Sequence, residues 1–128
     1  MNRPSSSSAT DTHAQGIGGV HPITLGKLRS KMARNDDFVF VMALDRRRFN
    51  TAHIDGSISF DDFLEIESSL RPDTEIVLYC TSSDCVASRL RAAYLSENGF
   101  SNVYRYAGGL AEWVDNGLPI ITNHLQRA

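Results

Sequence analysis

Ile76-Val77-Leu78-Tyr79-Cys80-Thr81-Ser82-Ser83-Asp84-Cys85-Val86-Ala87-Ser88 is the stretch that decides how this chain reads. An apolar, β-rich run ends on a cysteine, a short polar loop follows, and Val86, Leu90, Ala93 and Tyr94 then mark one face of a helix. Asn98-Gly99 would stop that helix in a left-handed cap. A continuous apolar run suits a strand covered on both faces, as strands of a parallel sheet are.

Upstream, Phe38-Val39-Phe40-Val41-Met42-Ala43-Leu44 is a second run of the same kind, with Asp36-Asp37 before it. Ile23, Leu25, Leu28 and Met32 recur at roughly helical spacing between Lys and Arg and predict a short amphipathic helix. Residues 46–49 read as a turn or short helix. His53-Ile54-Asp55-Gly56 reads as a tight turn before a brief strand over residues 57–60, and Asp61 or Asp62 as the cap of a helix carrying Phe63, Leu64 and Ile66. Downstream, residues 103–106 form another strand. Gly108-Gly109 turns into a last helix over residues 110–114 with the only tryptophan, and Gly117-Leu118-Pro119 closes the domain. Strands alternating with helices predict an α/β fold, a mostly parallel sheet with helices on both faces. Ligands of such sheets collect outside the carboxyl ends of strands, where Cys80 lies.

The chain has 128 residues and a formal net charge of −2, enough for one domain and without a broad basic field. Nucleic acid and membrane are therefore not expected partners; small anions, thiols and proteins are. Residues 1–19 are rich in Ser, Thr and Gly with almost no large apolar side chain, and read as a disordered tail before a domain over residues 20–128. No apolar run is long enough for a membrane span or a signal peptide, so a cytoplasmic protein is expected. Two cysteines do not make the disulfide framework of a small secreted protein, and thiol chemistry is the first expectation.

A cysteine between a strand end and a helix start faces unpaired backbone N–H groups and the positive end of a helix dipole, which favour its thiolate. The same cradle, formed by the backbone of residues 81–86 with hydroxyls of Thr81, Ser82, Ser83 and Ser88, suits a persulfide or an oxyanion such as thiosulfate. Asp84 opposes a second negative charge there unless it caps the following helix, the role expected of it. Cys85 reads either as a packing residue at the helix start or as a redox partner that resolves a persulfide or forms a loop disulfide. Arg46-Arg47-Arg48 reads either as a solvated turn or as the source of a cation, Arg46 or Arg48, that attracts an anionic donor. Arg89 and Arg91 are expected in solvent on the helix. Residues 85–91 match the Cys-x5-Arg pattern of cysteine phosphatases, but a helix over them cannot wrap a phosphate. His53 reads as a turn-holding residue and Trp113 as a core anchor. The four histidines lack metal-ligand spacing, so neither metal nor other cofactor is expected.

The ordered set of motifs resembles a single-domain rhodanese. It comprises Ile76-Val77-Leu78-Tyr79-Cys80, Ala92-Ala93-Tyr94-Leu95, Gly99-Phe100-Ser101-Asn102-Val103-Tyr104, Gly108-Gly109-Leu110-Ala111-Glu112-Trp113 and Gly117-Leu118-Pro119. Upstream, Ala52-His53-Ile54-Asp55-Gly56-Ser57-Ile58 is similar to that family's Gly-His-Ile-Pro-Gly-Ala motif. The resemblance implies a three-layer fold around a mostly parallel sheet of about five strands. It also implies a nucleophilic Cys80 that takes sulfane sulfur from thiosulfate or a persulfide and passes it to a thiol, a protein acceptor or cyanide, with no metal. The chain departs from the family in two places. Met42-Ala43-Leu44 stands where many members have Asp-Val-Arg, with Asp45-Arg46 arriving later, and the loop resembles a subgroup with a Tyr-Cys-x4-Cys-x-x-Ser pattern. Two other readings stand beside the transferase: a rhodanese-like binding or regulatory module with weak turnover, and a dithiol redox protein using Cys80 and Cys85.

Overall fold

The computed structural model describes residues 19–82 and 85–122. The tail expected over residues 1–19 falls almost wholly outside the described residues, as do Ser83 and Asp84.

The chain runs β1 (Val20–Pro22), α1 (Leu25–Ala33), β2 (Val39–Met42), α2 (Arg46–Thr51), β3 (Ala52–Ile54), β4 (Ile58–Ser59) and α3 (Phe60–Ile66). A 3-10 turn (Glu67–Ser69), β5 (Glu75–Tyr79), α4 (Val86–Glu97), β6 (Asn102–Tyr106), α5 (Gly109–Asp115) and β7 (Ile120–Thr122) complete it. Five strands form a parallel sheet in the order β1-β6-β5-β2-β4. The two apolar runs lie side by side at its centre, Val39 opposite Ile76 and Met42 opposite Tyr79.

Because successive side chains of a strand point to opposite faces, these runs feed two cores. Val41, Ala43, Ile76 and Leu78 pack with Phe63, Ala92 and Leu95 of α3 and α4. Phe40, Met42, Val77 and Tyr79 pack on the other face with Leu28 of α1 and Trp113 of α5. Leu28, Val41, Ile76, Val77 and Leu78 are fully buried. Helices on both faces of a parallel sheet are the architecture expected from the sequence.

Several local expectations change. Ser59, not Asp61 or Asp62, caps α3: its Oγ accepts the Asp62 N–H at 3.0 Å. The two aspartates sit in the first turn, where the helix dipole favours them. The inward face of α4 is Ser88, Ala92 and Leu95, while Val86, Leu90 and Tyr94 lie outside. Small residues such as Ser88 and Ala92 let a helix approach a sheet closely, and a stripe of larger ones one or two positions away has nearly the same spacing. Arg91 does not extend into solvent but lies over the Phe60 ring, 4.3 Å from its centroid. Finally, Ala52, His53 and Ile54 are not only a turn: they pair antiparallel with Thr122, Ile121 and Ile120, beyond the point where the domain was expected to close.

Candidate active site

Cys80 is the first residue past β5, at the carboxyl edge of the sheet. The strand is pinned just before it. Ala43 N donates to Tyr79 O at 2.8 Å, and the Tyr79 hydroxyl accepts the Ile54 N–H at 2.9 Å and lies 2.8 Å from Ser57 Oγ. Ser57 Oγ donates in turn to Ile54 O at 2.6 Å, so Tyr79 ties the loop after β3 to the strand that carries the cysteine. Burial pushes the Tyr79 phenol up to about 12.

The main chain past Cys80 is held by the start of α5. Leu110 N donates to Cys80 O at 2.9 Å, and Ala111 N to Thr81 O at 2.8 Å. This close approach requires Gly109, whose φ is +63° and where a Cβ would stand 2.4 Å from Cys80 O. The Gly108-Gly109 pair is thus part of the site. Cys85 N donates to Ser82 O at 3.1 Å and closes the turn, and Cys85 stands at the N-cap position of α4. Ser and Asp usually cap helices with a side-chain oxygen. Here the Cys85 sulfur is committed elsewhere, to a disulfide with Cys80 across a Cα separation of 6.1 Å. Of the two outcomes open for Cys85, the structure has the loop disulfide.

A cavity of about 380 Å³ opens beside this bond, lined by Met42, Leu44, Arg48, Thr51, Ala52, Cys80, Thr81, Cys85 and Leu110. Thr81 Oγ1 lies 4.0 Å from Cys80 Sγ. The structure therefore brings together Cys80, Thr81, Cys85 and Arg48. It does not bring Arg46. That guanidinium turns away to Asp62 (2.7 Å) and Glu65 (3.1 Å) on α3, while Asp45 caps α2 by accepting the Arg48 N–H at 2.9 Å. Residues two apart on a helix diverge, so only one of the two arginines can face the cavity. Val86 starts α4 on its exposed side, Ser82 takes part through its carbonyl, and Ser88 is buried, its Oγ donating to Cys85 O at 3.3 Å. Ser83 and Asp84 lie outside the described residues. His53 holds its turn, with Nδ1 2.8 Å from Phe49 O and its ring stacked on Phe49. Trp113 is buried, its Nε1 donating to Pro119 O at 2.9 Å.

Two residues that support the site are given no role by the sequence motifs. Tyr79 reads as one more apolar position of β5. Arg105 interrupts the run Val103-Tyr104-Arg105-Tyr106 of β6, and that interruption is the signal that could have found it. Its Nε donates to Ser88 Oγ at 2.9 Å, linking the sheet to the start of α4. Burial lowers its pKa, and the charge of Arg89 adds to the effect. Among the described residues, no group of three or more His, Cys, Asp or Glu could hold a metal ion, and no helix is long and apolar enough to cross a membrane.

A paired-cysteine loop at the carboxyl edge of a parallel sheet, closed on the start of the next helix, marks out the class of α/β domain to which the chain should be compared. Residues 24–116 match the rhodanese-like domain, and the chain belongs to that family. It is 34% identical over 95 residues to thiosulfate sulfurtransferase GlpE of Glaesserella parasuis, covering 70% of this chain and 83% of the relative. It is 28% identical over 103 residues to tRNA uridine(34) hydroxylase of Photorhabdus laumondii, covering 71% of this chain but spanning only 29% of that longer protein. The crystal structure of the Alr3790 protein from Anabaena sp. superposes with a TM-score of 0.68 at 26% identity, over 82% of this chain and 96% of that one.

Proposed function

We propose that the chain is a sulfurtransferase in which Cys80 carries sulfane sulfur as a persulfide. The observation that carries this reading is the position of Cys80, past a buried strand and facing a cavity that also holds Arg48 and Thr81. The Cys80 thiolate attacks the outer sulfur of thiosulfate or of an organic persulfide, and sulfite or a thiolate leaves. A thiol, a protein acceptor or cyanide then takes the sulfur. Arg48 draws the anionic donor in, and the start of α4 favours the anionic sulfur. The likeness to a relative named thiosulfate sulfurtransferase supports thiosulfate as the donor to try first. The disulfide must open before Cys80 can react, and a reducing compartment such as the cytoplasm meets that need.

The test starts from fully reduced protein, freed of reductant and given thiosulfate, with sulfite release and intact mass as readouts. Wild type and Cys85→Ser should release sulfite, Cys85→Ser should become one sulfur atom heavier, and Cys80→Ser should do neither. If no variant takes sulfur from thiosulfate or from an organic persulfide, the chain is not a transferase.

A second reading has its own observation. The disulfide between Cys80 and Cys85 favours a dithiol redox protein, which would cycle between thiol and disulfide without ever holding a persulfide. Retention of sulfur by Cys85→Ser separates the two. The third reading, a module with weak turnover, draws only on the residues Met42-Ala43-Leu44 in place of the family's charged motif.

A further inference from the structure

We propose that Cys85 resolves the Cys80 persulfide and releases its outer sulfur as hydrosulfide, so that the chain reduces sulfane sulfur at the expense of an external dithiol. This rests on the persulfide reading above and adds a product and a partner class to it.

The argument begins with how the two cysteines are held. The Cys80 backbone is fixed by Leu110 N on its carbonyl, and that of Thr81 by Ala111 N. Cys85 is fixed by its own N–H on Ser82 O and by Ser88 Oγ on its carbonyl, and Ser88 Oγ in turn accepts from Arg105. None of these bonds involves sulfur. Reduction of the disulfide therefore leaves both residues anchored 6.1 Å apart at Cα, inside the span of roughly 4.4–6.8 Å that a disulfide bridges without backbone movement. A thiol held at that distance acts at a high effective concentration and competes with acceptors that must diffuse in from solvent, resolving the persulfide whenever no acceptor is docked.

The step balances. In Cys80–Sγ–S⁻ the Cys85 sulfur attacks Cys80 Sγ, the Sγ–Sγ bond forms and the Sγ–S bond breaks. The outer sulfur leaves as HS⁻, taking the Cys85 thiol proton. That sulfur gains two electrons and the two cysteines together lose two. Exchange with an external dithiol then restores both thiols and leaves that dithiol oxidised. The order of exchange follows from exposure. Cys80 is 1% exposed, whereas Cys85 is only partly covered, so an incoming thiolate meets the Cys85 sulfur and frees Cys80 as the thiolate that the next donor needs.

The test is a single turnover of fully reduced, reductant-free protein with thiosulfate, repeated with an organic persulfide. Sulfite, hydrosulfide and intact mass are followed in wild type and Cys85→Ser. Wild type should release one hydrosulfide per chain and end two hydrogens lighter, with both thiols gone; dithiothreitol should then restore a second turnover. Cys85→Ser should still release sulfite, at a rate the substitution can alter, but its hydrosulfide should fall to background while the added sulfur stays on the protein. Wild type that keeps its added sulfur as long as Cys85→Ser, with no hydrosulfide, overturns the resolving role and leaves the transferase standing. Absence of sulfur uptake from both donors in both proteins removes the persulfide itself, and the resolving role with it.

Discussion

At the carboxyl edge of the sheet the chain is held by main-chain bonds, with Leu110 N on Cys80 O, Ala111 N on Thr81 O and Ala43 N on Tyr79 O. The amino edge has main-chain bonds of its own, such as Ser101 N on Pro72 O at 2.9 Å, and adds charges to them. Lys31 pairs with Glu75 and, at 3.8 Å, with Asp36, and its ammonium lies 5.5 Å from the Phe38 ring centroid. Arg34 joins Asp36 at 2.7 Å and Arg71 joins Asp73 at 2.8 Å. Exposed ion pairs such as Arg71–Asp73 contribute little to stability and tolerate exchange, while that of the half-buried Lys31 is worth more. Backbone-to-backbone bonds place atoms without freedom of side-chain rotation, and at the carboxyl edge those atoms belong to Tyr79, Cys80 and Thr81, the segment that carries the proposed nucleophile. Damage at one edge should therefore appear in chemistry, and damage at the other only in stability.

Two glycines make the sharpest break in that comparison. Gly109→Ala forces a left-handed alanine and a Cβ against Cys80 O, and should cost about 1–3 kcal/mol of stability from backbone strain alone. Misplacing the Cys80 carbonyl should also slow sulfite release by about a hundredfold. Gly26 lies in α1, where a Cβ would meet nothing within 4 Å. Gly26→Ala should raise stability by about 0.5–1 kcal/mol and leave sulfite release unchanged. Denaturant melts and single-turnover assays on the two variants check this.

Tyr79→Phe comes next. It leaves the Ile54 N–H without its acceptor, at a cost of about 1–3 kcal/mol in a urea melt. It should also alter the alkaline limb of stability. The folded chain raises the Tyr79 pKa from 10.0 to about 12, so it favours the neutral phenol. That stabilisation is full below pH 10 and is lost as pH rises toward about 12. Melts across this window should fall less steeply in the variant than in wild type.

The sequence carried the central sheet well, because Phe40, Val41, Met42 and Ala43 belong to a short, β-rich apolar run that a doubly covered strand accommodates on both faces. The position of Cys80 at a strand end was legible for the same reason. The face of α4 was not: Ser88 and Ala92 are buried because they are small, and Val86, Leu90 and Tyr94 share their spacing on the outside. The cap of α3 shifted because Ser59, Asp61 and Asp62 all carry a capping oxygen and only the strand register fixes where the helix starts. The β3–β7 pairing left no trace, since three-residue strands are too short to show a period. At the site, the cysteine spacing left both the disulfide and a packing role open for Cys85, and only folded geometry chose. Tyr79 and Arg105 act through hydrogen bonds to partners far away in sequence, which no local pattern encodes.

The smallest effects sharpen the contrast most finely. At the amino edge, Arg71→Ala removes the exposed pair with Asp73 and should leave a urea melt almost unchanged, the small loss shrinking further in salt, with sulfur uptake untouched. At the other edge stands a pair of arginines two residues apart. Arg48 lines the cavity and Arg46 does not, although their charge and exposure are alike. Arg48→Ala should slow sulfite release from thiosulfate by a factor of about three to ten at low salt, the range in which one charge steers a small anion, and the deficit should close as salt rises. Arg46→Ala should release sulfite at the wild-type rate. Its effect belongs to acid stability: Arg46 holds the Asp62 carboxyl below its ordinary range. The stabilisation this gives is present above the unfolded carboxylate pKa and lost as pH falls through the folded one. Removing Arg46 should flatten that slight acid-side loss in a pH-dependent melt. If the two variants instead slow sulfite release equally, the cavity beside the disulfide is not where the donor binds.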